Sequence, residues 1–250
     1  MSGQELGGKV AIVTGAGRNI GRAIALRLAE AGASVVVVAR SNRAEADAVA
    51  KEIEAAGGKA LAQLADVADA KAVQAMVEAV LMRFGRIDIL VNNAALRREK
   101  NIAEMSYDDW REVMNVTLDG AFHCVKACLA ALKKNGGSVV NIGGMSAHTG
   151  SKDRAHVTTA KLGIVGFTRG LAHDLAADNI TVNCVVPGAV ATTRQQGAAT
   201  PQHHLTHGTL TGTRGRPEDV AAMVRHLCGP DSRHITGQAV HINGGGYLGS

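Results

Sequence analysis

Short apolar runs alternate with amphipathic segments along almost the whole chain, and no other sequence feature restricts the fold as strongly. The runs are VAIVT (10–14), SVVVVA (34–39), KALAQL (59–64), IDILVN (87–92), SVVNI (138–142), TVNCVV (181–186) and QAVHI (238–242). Most are continuously apolar rather than apolar at every second position, as expected of strands covered on both faces. Between them, Ile20, Ile24 and Leu28 recur at helical spacing, as do Val73, Met76, Val77, Val80, Leu81 and Phe84. Each set gives a helix one apolar face. Strand–helix alternation predicts an α/β fold: a single doubly wound parallel sheet of about seven strands, right-handed crossovers, and helices on both faces.

Composition agrees with one large core. Of 250 residues 46% are hydrophobic but only 2% aromatic, so Val, Ala, Leu and Ile must fill it. The 30 glycines and 4 prolines suit regular elements with close backbone approaches. One domain spanning 1–250 is expected. The net charge of +5 is dispersed and lacks interleaved aromatics, which argues against nucleic acid and for a small anionic partner. Cys124, Cys128, Cys184 and Cys228 show no metal-binding spacing and read as reduced core thiols, so no metal is expected. No apolar stretch approaches membrane-spanning length, and polar Met1 to Gly8 resembles no export signal; a cytoplasmic protein off the membrane is expected. Residues 188–216 break the rhythm, being polar and rich in Gly, Thr and His, and read as a substrate loop or lid.

Directly after the first run comes Thr14-Gly15-Ala16-Gly17-Arg18-Asn19-Ile20-Gly21, leading into the first helix. Gly15 can take backbone angles that a side chain forbids. Gly21, lacking Cβ, lets helix and strand pack closely. The free N–H groups of the helix start then suit a pyrophosphate, which makes this a Rossmann-type dinucleotide turn.

The spacing resembles that of the short-chain dehydrogenase/reductase family, whose turn reads Thr-Gly-x-x-x-Gly-x-Gly. Here Asn19 replaces the middle glycine, and asparagine is among the few other residues that accept a left-handed conformation. Further matches span nearly the whole chain. Asp66-Val67 resembles the family's adenine-contacting pair, and Asn92-Asn93-Ala94-Ala95 its Asn-Asn-Ala-Gly motif. Asn115 occupies the place of its active-site asparagine. Pro187-Gly188-Ala189-Val190-Ala191-Thr192 resembles the segment that holds the nicotinamide amide, and the stretches from Gly215 to Asp219 and from Ile235 to Gly245 resemble the family's C-terminal third. The resemblance implies a homotetramer and cofactor contacts from Gly15, Arg18, Asn19, Ile20, Gly21, Asp66, Val67, Asn93, Ala94, Lys161, Pro187, Val190 and Thr192.

NADP(H) is expected over NAD(H). The end of the second run, where an acid would bond the ribose hydroxyls of NAD, carries Ala39, followed by Arg40, Ser41 and Arg43. With Arg18 in the turn, these guanidiniums suit a 2′-phosphate.

The family's catalysis uses a serine and a Tyr-x-x-x-Lys pair, and here the resemblance fails. Lys161 is present, but Val157 stands four residues before it, and Asn141-Ile142-Gly143-Gly144 replaces the Asn-Ile-Ser-Ser motif. Lys161 and Asn115 remain as catalytic candidates. His156 is the first candidate replacement proton donor, although on a regular helix it points about 100° from Val157. Ser146, about 7 Å beyond Gly144 if the strand continues, and His148 are the others. For each, an ordinary polar role is an equal alternative. Arg97, Arg98, Lys100, Lys152, Arg154, His156, Arg194, His203, His204 and His207 follow carboxyl ends of strands and suggest a cationic substrate pocket. Within it Arg97, Arg154 and His156 are singled out as substrate contacts for a carboxylate or phosphate. Three functions compete: an NADP(H)-dependent oxidoreductase with an atypical proton donor, acting on a small, anionic alcohol or carbonyl compound; a non-catalytic NADP-binding sensor or inactive subunit; and a non-redox lyase. Retention of Lys161, the nicotinamide segment and the long loop favours the first.

Overall fold

The computed structural model describes residues 4–193 and 208–249. Seven parallel strands form one sheet: β1 (Val10–Thr14), β2 (Ser34–Ala39), β3 (Lys59–Leu64), β4 (Ile89–Asn92), β5 (Gly137–Ile142), β6 (Ile180–Pro187) and β7 (Ala239–Ile242). Their order is β3-β2-β1-β4-β5-β6-β7, so the winding reverses between β1 and β4. The expected Rossmann-type doubly wound sheet is observed. The run at 87–92 contributes a shorter strand, Ile89–Asn92, with Ile87 and Asp88 lying before it.

The connecting helices are α1 (Asn19–Glu30), α2 (Arg43–Ala55), α3 (Ala70–Phe84), α4 (Tyr107–Met114), α5 (Gly120–Asn135), α6 (Ser146–Thr149), α7 (Ala155–Leu175) and α8 (Pro217–Cys228). Strand residues alternate between two apolar layers, which is how one sheet serves two helix layers. Ala11, Val13, Val35 and Val37 face α1, α2 and α8, through Ile24, Leu28, Ile53 and Val224 among others. Val10, Ile12, Val36 and Val38 face α3, α5 and α7, through Val73, Val77, Cys128 and Leu175. Polar starts stop these helices from fraying: Asn42 accepts from Glu45 N, Asp69 from Lys71 N, and Ser106 and Asp109 form a reciprocal capping box. No helix among the described residues is long and apolar enough to cross a membrane.

At the amino edge of the sheet Asp88 holds three strands in register. Its backbone bonds Val10 O and Ser138 N, and its buried carboxylate accepts from Val10 N at 2.9 Å and pairs with Arg86 at 2.6 Å. A Cβ at Gly137 would lie 2.3 Å from Asp88 O, so only glycine permits β5 to start there. Asp88→Ala strands the Val10 amide and the Arg86 charge, and should lower unfolding free energy by about 2 kcal/mol, measured by urea denaturation.

Candidate cofactor cleft and active site

The switch between β1 and β4 opens a cleft of about 520 Å³ at the carboxyl ends of the strands, where ligands bind in such sheets. Its floor is built on the β1–α1 turn. Gly15 has φ +62°, and a Cβ at Gly21 would lie 2.1 Å from Gly15 O and 2.6 Å from Asn93 Nδ2. The turn is fastened from β4: Asn93 Nδ2 donates to Thr14 O at 2.9 Å and Gly15 O at 3.0 Å, while Thr14 Oγ1 accepts from the amides of Asn93 and Ala94. Asn19 takes φ 51°, the left-handed geometry expected where the family has glycine.

The structure gathers most of the sequence-derived cofactor set on this one cleft. Gly15, Arg18, Asn19, Ile20 and Gly21 line its floor; Arg40, Ser41, Asp66 and Val67 line the β2–β3 side; Asn93, Ala94 and Thr192 line the other. Pro187, Val190 and Lys161 stand outside this lining. Pro187 ends β6 with its carbonyl bonded to Met145 N, and Val190 is buried in the core beside α8. Gly188 packs against Asn243, with 2.7 Å between a hypothetical Cβ and that side chain, so the Pro-Gly segment and the Asn243-Gly244-Gly245 turn are mutually fixed.

At the β2 end, Arg18 and Arg40 are exposed and have no hydrogen-bond or ion-pair partner among the described residues. Arg43, counted with them from sequence, instead pairs with Asp47 at 2.8 Å along α2. Glu45 also lines the cleft, near Gly17, an acid that motif spacing did not reveal because helix α2 brings it there from the far side of the turn. A cradle that admits no Cβ, with two uncommitted guanidiniums at one end, fits a phosphorylated dinucleotide.

At the β4–β5 end, α7 presents Val157 and Lys161 on one face, four residues apart. Val157 is 1% exposed and packed with Val113, Met114, Ala160, Leu96 and Trp110. A Cβ at Gly144 would meet nothing within 4 Å except Lys161 Cγ at 3.8 Å, so the serine's place is open. Lys161 is buried, and Nζ donates to Ile142 O at 2.5 Å. Burial, reinforced by the positive charges of Arg97 and Arg154, brings its pKa down to about 7 despite the opposing influence of Cys184. Asn115 opens a turn of π-helix between α4 and α5, a local widening common at functional sites, and its Oδ1 accepts from Arg111 at 2.7 Å.

The replacement-donor candidates occupy other surroundings. His156 is 1% exposed; burial, then Arg154, holds its pKa below the ordinary value, and its Nδ1 has no hydrogen-bond partner among the described residues. The premise for Ser146 is corrected: the strand ends at Ile142, the chain turns, and Ser146 starts α6. His148 meets His241 edge-on and Tyr247 at a tilt, ring centroids 4.7 and 5.4 Å away. The cationic set also divides. Arg98 pairs with Glu112, and Lys100 pairs with Asp109 at 2.7 Å, leaving both tied to α4. Lys152 is exposed, whereas Arg154 is buried near Arg97 and Glu99. Arg97 lines the cleft and has no hydrogen bond or ion pair among the described residues. Arg194, His203, His204 and His207, with the loop's middle portion 194–207, lie outside the described residues.

The family model described as enoyl-(acyl carrier protein) reductase matches residues 15–246. A 3-oxoacyl-(acyl-carrier-protein) reductase of Staphylococcus aureus is 37% identical over 243 residues, covering 96% of this chain and 98% of its own. A short-chain dehydrogenase of Burkholderia cenocepacia, solved with NADP, superposes with a TM-score of 0.91 at 36% identity, covering 97% of this chain and 99% of its own. A blue fluorescent protein from a metagenomic library, solved with NADPH, also gives 0.91, at 35% identity, covering 98% and 100%.

Gly21→Ala should raise the NADPH dissociation constant more than roughly tenfold, read by fluorescence titration, because the clash is with backbone. Gly144→Ser should leave the thermal midpoint within about 2 °C of the parent, since that position has room.

Proposed function

Because the chain belongs to the short-chain dehydrogenase/reductase family of NAD(P)-dependent oxidoreductases, we propose that it interconverts a small anionic carbonyl compound and its alcohol with NADP(H), using Lys161 itself as the proton-handling group. The observation that carries this reading is the buried Lys161, bonded to Ile142 O and facing Gly144 where the hydroxyls of serine and tyrosine are missing, with Arg97 lacking a carboxylate partner among the described residues. NADP(H) supplies or takes up the hydride. Relatives of known structure bind NADP and NADPH, and Arg18 and Arg40 offer the 2′-phosphate two guanidiniums in this chain.

Arg97, on the cleft and with no carboxylate partner among the described residues, favours a substrate carrying a carboxylate or phosphate, since an anion offsets its repulsion of the buried Lys161. That differs from the 3-oxoacyl chain on a carrier protein named for the relatives. In reduction, the Lys161 ammonium gives its proton to the substrate oxygen, directly or through one water beside Gly144, and regains it from solvent. In oxidation the neutral amine accepts that proton. An amine titrating near 7 is matched to both directions at neutral pH. In this reading the chain is a homotetramer, with exposed Phe122 on α5 and Leu162 on α7 offering apolar faces to partner copies; sedimentation should give four times the 25.8 kDa chain mass.

A second reading has its own support. Val157 is sealed into an apolar cluster and Gly144 bears no hydroxyl, as suits a protein that binds NADP without turnover. A panel of keto acids and sugar acids assayed for NADPH oxidation separates the two. Turnover abolished by Lys161→Met supports the enzyme; tight NADPH binding with no turnover on any substrate supports the sensor. The acid form is the one lost above the lowered pKa. Reduction kcat/KM should therefore be level below about pH 7 and fall about tenfold per unit above it. Lys161→Arg should be slow at every pH and show no such break.

A further inference from the structure

Asn19 stands where the family's turn has glycine, so its side chain is an addition to a turn that forms without it. That side chain bonds one distant residue through both its nitrogen and its oxygen. Asn19 Nδ2 donates to Thr193 O at 3.1 Å, and Asn19 Oδ1 accepts from Thr193 N at 2.9 Å and from Thr193 Oγ1 at 2.8 Å. The two residues are 174 positions apart, one at the start of α1 and the other beyond β6. Asn19 and Thr192, the neighbour of Thr193, both line the cofactor cleft. The three bonds therefore join its two walls at the turn that would hold the pyrophosphate.

We infer that Asn19 and Thr193 form a clasp across the cleft, which parts for the dinucleotide to enter or leave and retains it when closed. Glycine at position 19 supplies the same left-handed backbone but nothing that reaches the opposite wall. All three bonds are solvent-exposed, and exposed hydrogen bonds contribute little net stability individually, so they suit a device that opens readily better than a strut. They also act together: one amide plane satisfies both an N–H and a C=O of the same residue, so the wall is free only after all three are broken. The rate of release then scales with the fraction of time the clasp is open. Asn19 is a positioning residue in this scheme; it acts on the cofactor through Thr193.

This rests on the NADP(H) reading above, and the experiment separates the two. NADPH release is followed by stopped-flow fluorescence on displacement with excess NADP⁺, for the parent, Asn19→Gly, Thr193→Val and the double variant. Asn19→Gly keeps the backbone geometry and removes all three bonds; Thr193→Val removes only the hydroxyl bond. The expected result is release about tenfold faster in Asn19→Gly, a smaller acceleration in Thr193→Val, and no further acceleration in the double variant beyond Asn19→Gly. The thermal midpoint of the cofactor-free protein should barely move, which a merely structural contact would not allow alongside a changed release rate. Release from Asn19→Gly at the parent rate overturns the clasp, as does a Thr193→Val effect that persists undiminished without Asn19. Parent protein that fails to bind NADPH overturns the cofactor reading and the clasp with it.

Discussion

The contact on which the rest of the molecule depends is the approach of helix α1 to the end of β1. Gly21 sits so close to Gly15 O and Asn93 Nδ2 that one methyl group would separate helix from sheet. The space saved there lets Asn93 reach the carbonyls of Thr14 and Gly15, which ties the turn to β4 across the point where the winding reverses. A second buried line continues outward: Asn92 Nδ2 donates to Asn141, whose own amide donates to Thr168 on α7. Asn92 Oδ1 has no partner among the described residues, so sliding one strand past the next would add further unsatisfied amide groups to it and is costly. The cleft and Lys161 are therefore placed by the same network that sets the sheet's register.

Around that rigid frame, the cations fall into a paired and an unpaired group. Arg22, Arg43, Arg86, Arg98 and Lys100 each have a carboxylate within ion-pair distance. Arg18, Arg40 and Arg97, all on the cleft, have none among the described residues. Exposed guanidiniums need no partner at the β2 end, where water and a phosphate can serve in turn. Lys161 differs in being buried, and its ammonium donates to the Ile142 carbonyl while two arginine charges oppose it and Cys184 favours it. A charge in that setting is destabilised, and its pKa falls toward neutrality.

Much of this was legible in the residues because it depends on short-range pattern. Continuous apolar runs and helical spacing specified seven parallel strands with helices on both faces, and the glycine turn located the cleft. Asn19 could be assigned its left-handed backbone from its residue type together with the glycine that the family's turn has there. Less legible were relations across sequence distance. That Arg43 pairs with Asp47 along α2 was not legible, and Glu45 gave no motif signal although the same helix sets it on the cleft. Ser146 looked two residues farther along a strand that in fact stops at Ile142.

The sequence by itself thus determined the fold, the dinucleotide turn and the absence of the usual hydroxyls, because each is written in neighbouring residues and their periodicity. Only the tertiary structure decided which cations are neutralised, that His156 is enclosed while Gly144 is open, and that Asn19 meets Thr193. Those outcomes depend on which side chains are desolvated and which distant segments touch, and neither is a property of any local stretch of chain.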